Sequence, residues 1–257
     1  GASFATVLAQ LIAFLLCLRS LRRLPFVQLT KADWKTDPAI LLHLCRLGIP
    51  TGLQMSMITL GGMVLQSVLN GFGVVFVAGY TAANKLYGIL GSASVAFGYA
   101  MTAYMGQNRG ARNAARIDAG IRAVLVLSIG FTAAIVATML LAGKPLLGLF
   151  LSTEEAGAAD ALAVAHRYLM VLMAFLFALF VLQAYRSSLQ GVGEMTVPTL
   201  SGFAEMLMRM GAALVLPVFI GKSGVFFAEG VAWVCAAALN LVWYYMRIGK
   251  IKREMMQ

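Results

Sequence analysis

Long apolar runs alternate with short polar or basic connections along this chain, and the runs predict its architecture. A membrane-crossing helix needs about 20 mostly apolar residues. Seven stretches meet that demand: residues 1–18, 49–69, 74–105, 117–141, 166–183, 196–218 and 225–246. They predict an all-α polytopic membrane bundle. Asn70-Gly71-Phe72-Gly73, Gly143-Lys144-Pro145, Gly191-Val192-Gly193 and Gly221-Lys222-Ser223-Gly224 are the turn signals between runs. The third run is longer than a bilayer requires, so it must tilt or project into the headgroups. Pro50 and Pro198 fit first turns, where a missing N–H is harmless, and Pro217 predicts a kink. Pro38 with the following AILLHLCRL reads as a separate amphipathic helix at the interface. Ser152 and Glu155 match a capping box that would open a short helix over 154–165 before the fifth span. The fifth helix should continue past its span to Gln190.

The polar positions inside the apolar runs are patterned. Between residues 80 and 120, Thr81, Asn84, Lys85, Gly88, Ser92 and Thr102 fall within one broad helical face. Lipid has no use for such a face, so it should meet other helices or a water-filled cavity. In the second span Gly52, Ser56, Thr59, Gln66 and Asn70 share a face, and Gly48-x-x-x-Gly52 is a small-residue packing pattern. Charges within spans are Lys85, Arg122, Glu205, Arg209 and Glu229. Arg122 can snorkel to the interface, and Glu229, one turn before Trp233, reads as an interfacial group. Glu205 is the acidic residue nearest the middle of a span. Ser201, Glu205 and Arg209 lie at i, i+4 and i+8, so a Glu205–Arg209 ion pair is expected. Glu205 could also alternate between Arg209 and a second cation, for which Lys85 is the candidate. Gln54, Gln66, Asn70, Gln183 and Asn240 are amides placed to bond neighbouring helices or to touch a substrate. The basic end of the third run, Gly106 to Ala111, is expected to be a loop. Gln107 and Asn108 would cap the helix there, and Gly110 would take a positive φ.

Composition supports the bilayer. Apolar residues make up 61% of the 257 residues and charged residues 12%, against about 25% charged in soluble domains. Mean hydropathy is +0.85. The net charge of +10 could signal nucleic acid, but its distribution argues otherwise. One alternating set of loops (19–46, 106–116, 186–195 and 247–257) carries 14 of the 20 Lys and Arg, and the other set carries Lys144 and Lys222. That asymmetry places the first set, and the C-terminus, in the cytoplasm of a multi-pass cell-membrane protein. Cys17, Cys45 and Cys235 have no metal-ligand spacing and read as small hydrophobes. His43 and His166 stand apart and read as interface groups, which argues against a membrane enzyme. There is no P-loop, His/Glu metal pair or nucleophile elbow. The chain begins at Gly1 inside an apolar run, as expected of a piece of a longer one.

Four stretches carry a resemblance to a known family. GASFATVLAQ at the start, GIPTGLQMS at 48–56, AANK…GQNRGA at 82–111 and YRSSLQGVGEMTVPTLSGFAEMLMR at 185–209 resemble multidrug and toxic compound extrusion (MATE) transporters. These stretches look like parts of the sixth, seventh, eighth, and tenth to eleventh helices of that family. The resemblance implies two six-helix lobes around a cavity, related about an axis along the membrane normal. Residues 1–18 would then be the last helix of the N-terminal lobe and 19–46 a cytoplasmic linker. Residues 47–247 would be the six-helix C-terminal lobe and 248–257 a basic cytoplasmic tail. The resemblance further implies alternating-access antiport, with H⁺ or Na⁺ exchanged for small organic, often cationic compounds. The partners would be those substrates, the bilayer and the missing N-terminal lobe, with no nucleic acid. Several members place an acidic residue in the seventh helix, and residues 49–70 here have none. Glu205, Arg209 and Lys85 are the ion-coupling candidates, and Gln54, Gln66, Asn84, Gln183 and Asn240 the cavity-lining ones. A lipid-linked precursor flippase of the same superfamily is the alternative, favoured by the cations Lys85 and Arg209.

Overall fold

A computed structural model describes residues 2–23, 37–151 and 157–256. The described residues form seven long helices and no strand: α1 (Ala2–Leu21), α2 (Pro38–Asn70), α3 (Val74–Gly110), α4 (Ala114–Gly148), α5 (Ala158–Gly191), α6 (Thr196–Ile220) and α7 (Phe227–Met256). A short 3₁₀ helix, Lys222–Phe226, precedes α7. All seven long helices have the length and apolarity to cross a membrane. The chain divides into two compact units, residues 1–46 and 47–257. In the first, α1 is an apolar helix with nearly every described side chain exposed.

In the second unit α5 is the central post. It packs against α3, α4 and α7, and α6 packs against α7. Around α5, Tyr168, Leu169, Leu172, Leu176 and Phe180 form one core with Leu65, Tyr80, Phe226 and Trp233. A second core at the other end joins Tyr185 and Leu189 to Met105, Ile117, Tyr244, Ile248 and Ile251. The usual inside-out order is reversed. Leu141 and Val218 are 87% and 79% exposed, whereas Glu205 and Arg209 are 3% and 4% exposed. In water that arrangement would forfeit the hydrophobic driving force. In a bilayer it is the favourable one, because lipid accepts the leucines and protein must shelter the charges.

The helices are longer than the apolar runs that announced them. At about 1.5 Å per residue, the 37 residues of α3 span about 55 Å, well beyond the ~30 Å hydrocarbon core. The separate interfacial helix expected at Pro38 does not form, because that segment is the first part of α2. Pro50 therefore lies inside α2 rather than in its first turn. Two threonines bond carbonyls near it: Thr51 Oγ1 donates to Leu47 O at 2.8 Å, and Thr199 Oγ1 of α6 donates to Pro50 O at 3.2 Å. Likewise α4 runs through Pro145 instead of stopping at Gly143. A single α5 starts at Ala158, behind Gly157 with φ 91°, so 158–165 is its first turns rather than a separate helix. The capping box at Ser152 and Glu155, and the linker charges Lys31, Asp33 and Lys35, lie outside the described residues.

The segment expected to be a loop after Met105 is helical through Gly110. Asn108 is buried and donates from Nδ2 to Tyr104 O at 2.8 Å, one turn back on its own helix. The positive φ falls on Arg112 (52°), not on Gly110. Asn113 then caps α4, its side chain accepting from Arg116 N at 3.1 Å. The basic tail is the end of α7: Ile248, Ile251 and Met255 are buried, and Lys252 pairs with Asp118 of α4. Gly48 and Gly52, expected to pack closely, face open space. The close approach of α2 to α6 uses Gly61 and Gly202 instead. A Cβ on Gly61 would sit 3.2 Å from Met206 Cα, and one on Gly202 would sit 2.7 Å from Gln54 Cγ.

Candidate functional site

Four charged side chains from three helices form a continuous buried string in the second unit. Arg186 of α5 donates from Nη2 to Glu205 Oε2 of α6 at 2.6 Å. The other oxygen of Glu205 accepts from Arg209 Nη2 at 2.9 Å, one turn along α6. Arg209 then reaches Glu229 of α7, with Nη2 and Nε at 2.8 and 3.1 Å from Oε2. Its Nη1 donates to the backbone oxygen of Ile58 on α2 at 2.9 Å. Arg209 thus ties α2, α6 and α7 together, and Arg186 brings in α5. Ser201 Oγ, 3.4 Å from Arg186 Nη2, donates in turn to Pro198 O at 2.8 Å. Beside the string, Gln190 Nε2 donates to Gln54 Oε1 at 2.9 Å and links α5 to α2.

The order of charges is + − + −, so the string is neutral as a whole and every ion has an opposite neighbour. That is the condition under which ions can be removed from water. Its members are not equally sealed. The side chains of Arg186, Glu205 and Arg209 are 4–6% exposed, whereas that of Glu229 is 17% exposed. Glu229 is therefore the least tightly enclosed member of the string. One turn further along α7, Trp233 is buried and stacks on Tyr87 of α3, ring centroids 5.5 Å apart. Glu229, expected as an interfacial group, has its carboxylate bonded to Arg209.

The expected Glu205–Arg209 pair forms, but Lys85 is not the second cation. That place belongs to Arg186, while Lys85 and Asn84 are exposed on α3. The charge count places Arg186 with the cytoplasmic connections, beyond the fifth span but within the helix expected to reach Gln190. Its helical context was visible, since Gln183, Arg186 and Gln190 recur at i, i+3 and i+7 on a helix that runs to Gly191. The amides separate into two groups. Gln54 and Asn240 are wholly buried, and Asn240 Nδ2 donates back to Ala236 O at 2.8 Å. Gln183 is half-buried. Gln66 is exposed and donates from Nε2 to Asn70 Oδ1 at 3.0 Å. The polar faces of α2 (Ser56, Thr59, Gln66, Asn70) and α3 (Thr81, Asn84, Lys85, Ser92) are exposed in this chain. Among the described residues no three His, Cys, Asp or Glu side chains gather as a metal site.

A bundle of apolar helices that hides a neutral string of charges is a polytopic membrane protein. The MatE family model matches residues 50–215, and the chain belongs to that family. It is 30% identical over 259 residues to the probable multidrug resistance protein YpnP of Bacillus subtilis, a match that covers 98% of this chain and 55% of YpnP. It is 25% identical over 259 residues to the probable multidrug resistance protein YoeA of the same organism, covering 98% of this chain and 55% of YoeA. The chain thus spans about 55% of the length of each of these relatives. Its fold matches that of a MATE protein crystallised in complex with MaL6, with a TM-score of 0.88 at 23% identity, covering 98% of this chain and 57% of the other. It also matches an outward-facing multidrug resistance MATE family transporter of the MOP superfamily, with a TM-score of 0.87 at 23% identity and the same coverage.

Proposed function

We propose that the parent protein is an ion-coupled antiporter that exports small organic, cationic compounds by alternating access, and that the Arg186–Glu205–Arg209–Glu229 string is its coupling element. The observation that carries this is Glu229: a carboxylate at the less enclosed end of the string, bonded to Arg209, which also reaches α2 and Glu205 of its own helix. A proton or Na⁺ taken up by Glu229 weakens its bond to Arg209 and so alters what holds α7 to α6 and α2. Binding at the rim then has a route to helix packing, which coupling requires. Family membership supports transport, and the relatives named as multidrug resistance proteins support small organic substrates over lipid-linked precursors. The exposed polar faces of α2 and α3 suit a cavity shared with the remaining part of the parent. The positive-inside bias supports a cytoplasmic position for the basic ends.

The test is efflux of a cationic dye by the full-length parent in proteoliposomes, under an imposed pH or Na⁺ gradient. Glu229→Gln is expected to fold, since Arg209 keeps Glu205, and to lose gradient-driven efflux. Wild-type efflux indifferent to both gradients would remove the antiport reading. Normal coupling in Glu229→Gln would remove this string from the mechanism.

A further inference from the structure

Two cavities that play no part in the charge string lie end to end along α7. The first is a groove of about 470 Å³ between α6 and α7, lined by Val197, Leu200, Cys235, Leu239, Val242 and Trp243. Its lining is almost wholly apolar, and Leu200, Leu239 and Val242 are exposed. The second, of about 130 Å³, lies at the basic end of the bundle, where the last turn of α3, the α5–α6 turn and α7 converge. It is lined by Arg109, Arg247 and Lys250 together with Glu194 and Glu254. The two meet at one place: the Arg247 guanidinium lies over the Trp243 ring, 5.5 Å from its centroid.

We infer that the pair of cavities is a binding site for an anionic glycerophospholipid, its phosphate in the basic pocket and one acyl chain in the α6–α7 groove. The charge count fits. Three cations face two carboxylates, and the carboxylates pair only loosely, Glu194 with Arg247 at 3.5 Å and Glu254 with Lys250 at 3.9 Å. Arg109 has no acidic partner among the described residues, so the pocket carries one uncompensated positive charge, which a phosphodiester matches. The α5–α6 turn leaves space for the Arg109 side chain. Gly193, with φ 74°, leaves room for it, and a Cβ there would come within 2.8 Å of Arg109 Nη1. The Trp243 ring lies at the same junction and lines the groove, so an acyl chain seated there packs against it. From Cys235 to Trp243 the groove follows about 12 Å of helix, so its apolar length runs from the headgroup level into the hydrocarbon. Basic pockets between membrane helices are recognised headgroup sites, and here an apolar channel continues from one.

The experiment uses the full-length parent, delipidated in detergent and titrated with phosphatidylglycerol or phosphatidylcholine of the same acyl composition, with binding read by native mass spectrometry. A second arm uses brominated versions of both lipids and reads tryptophan quenching against a Trp243→Phe variant. Phosphatidylglycerol is expected to bind more tightly and to quench the Trp243 signal selectively. Arg109→Gln with Arg247→Gln should weaken it on the order of tenfold and abolish the headgroup preference. Leu239→Trp, which fills the groove and leaves the pocket intact, should weaken both lipids. Equal binding of the two lipids by the wild type, or no Trp243 quenching, would overturn the site without recourse to any variant. So would glycerol 3-phosphate displacing the lipid completely at equal concentration, since the groove would then contribute nothing. If no lipid binds and Leu239→Trp destabilises the parent, another part of the parent fills the groove and the inference fails.

Discussion

Arg186 and Glu205 meet across the α5–α6 interface at 2.6 Å, nineteen positions apart in sequence and both nearly sealed from solvent. This contact, more than the Glu205–Arg209 pair within α6, fixes what a charge-removing substitution should do. In Glu205→Gln, Arg209 keeps Glu229 and the Ile58 carbonyl, whereas Arg186 is left without an anionic partner among the described residues.

Glu205→Gln is therefore expected to lose about 3–5 kcal/mol of stability, the usual cost of leaving one buried partner uncompensated. Adding Arg186→Gln should recover most of the loss, and adding Arg209→Gln should not. Thermal melting of the full-length parent, followed by size-exclusion of the surviving fraction, distinguishes the pairs. Rescue by Arg209→Gln alone would show that the α6 pair dominates.

Gly202 of α6 lies against the Gln54 backbone of α2, where an added Cβ would meet Cγ at 2.7 Å, O at 3.2 Å and Cα at 3.3 Å. Because backbone atoms cannot swing aside, Gly202→Ala should destabilise the α2–α6 contact by about 1–3 kcal/mol. Gly211→Ala, with nothing within 4 Å, is the matched control and should be neutral or slightly stabilising. Equal melting temperatures for the two variants would mean that the helices yield at that contact.

Arg112 holds φ 52° between α3 and α4, a conformation that costs a branched or long residue about 1–2 kcal/mol. Arg112→Gly should raise the melting temperature and Arg112→Val should lower it. The reverse order would mean that contacts of the arginine side chain outweigh the backbone term.

Cysteines at Arg112 and Gly157, in a parent freed of its native thiols, should label from opposite sides of the membrane, with Arg112 on the cytoplasmic side. The helix order places one position after α3 and the other before α5, so a single crossing, α4, separates them. Labelling of both by a membrane-impermeant reagent from the same side contradicts the assigned topology.

Periodicity and hydropathy made the seven spans legible, because a bilayer demands long apolar runs and nothing else in the chain competes with that demand. They did not show where the helices end. Hydropathy windows stop at Met105 and at Gly143, yet polar residues such as Gln107 and Lys144 remain good helix formers once the preceding turns exist. Of the charge string, only Glu205–Arg209 was visible, because it lies within one helix at i, i+4. The Arg186 and Glu229 partnerships depend on how α5, α6 and α7 are laid side by side, and spacing along a single helix carries no record of that. Lys85 looked like a partner because its face is polar, and the structure turns that face outward.

The alternation of Arg186, Glu205, Arg209 and Glu229 also sets an electrical constraint. With all four ionised the string has no net charge and little field at a distance. One proton on either carboxylate turns it into a monocation within a low-dielectric slab, where opposite charges attract strongly over several ångströms. Electroneutrality then calls for a compensating anion, or for departure of whatever other cation is bound nearby. Mutual exclusion of two cations would follow from the count of four charges, without any lid or gate that recognises either one.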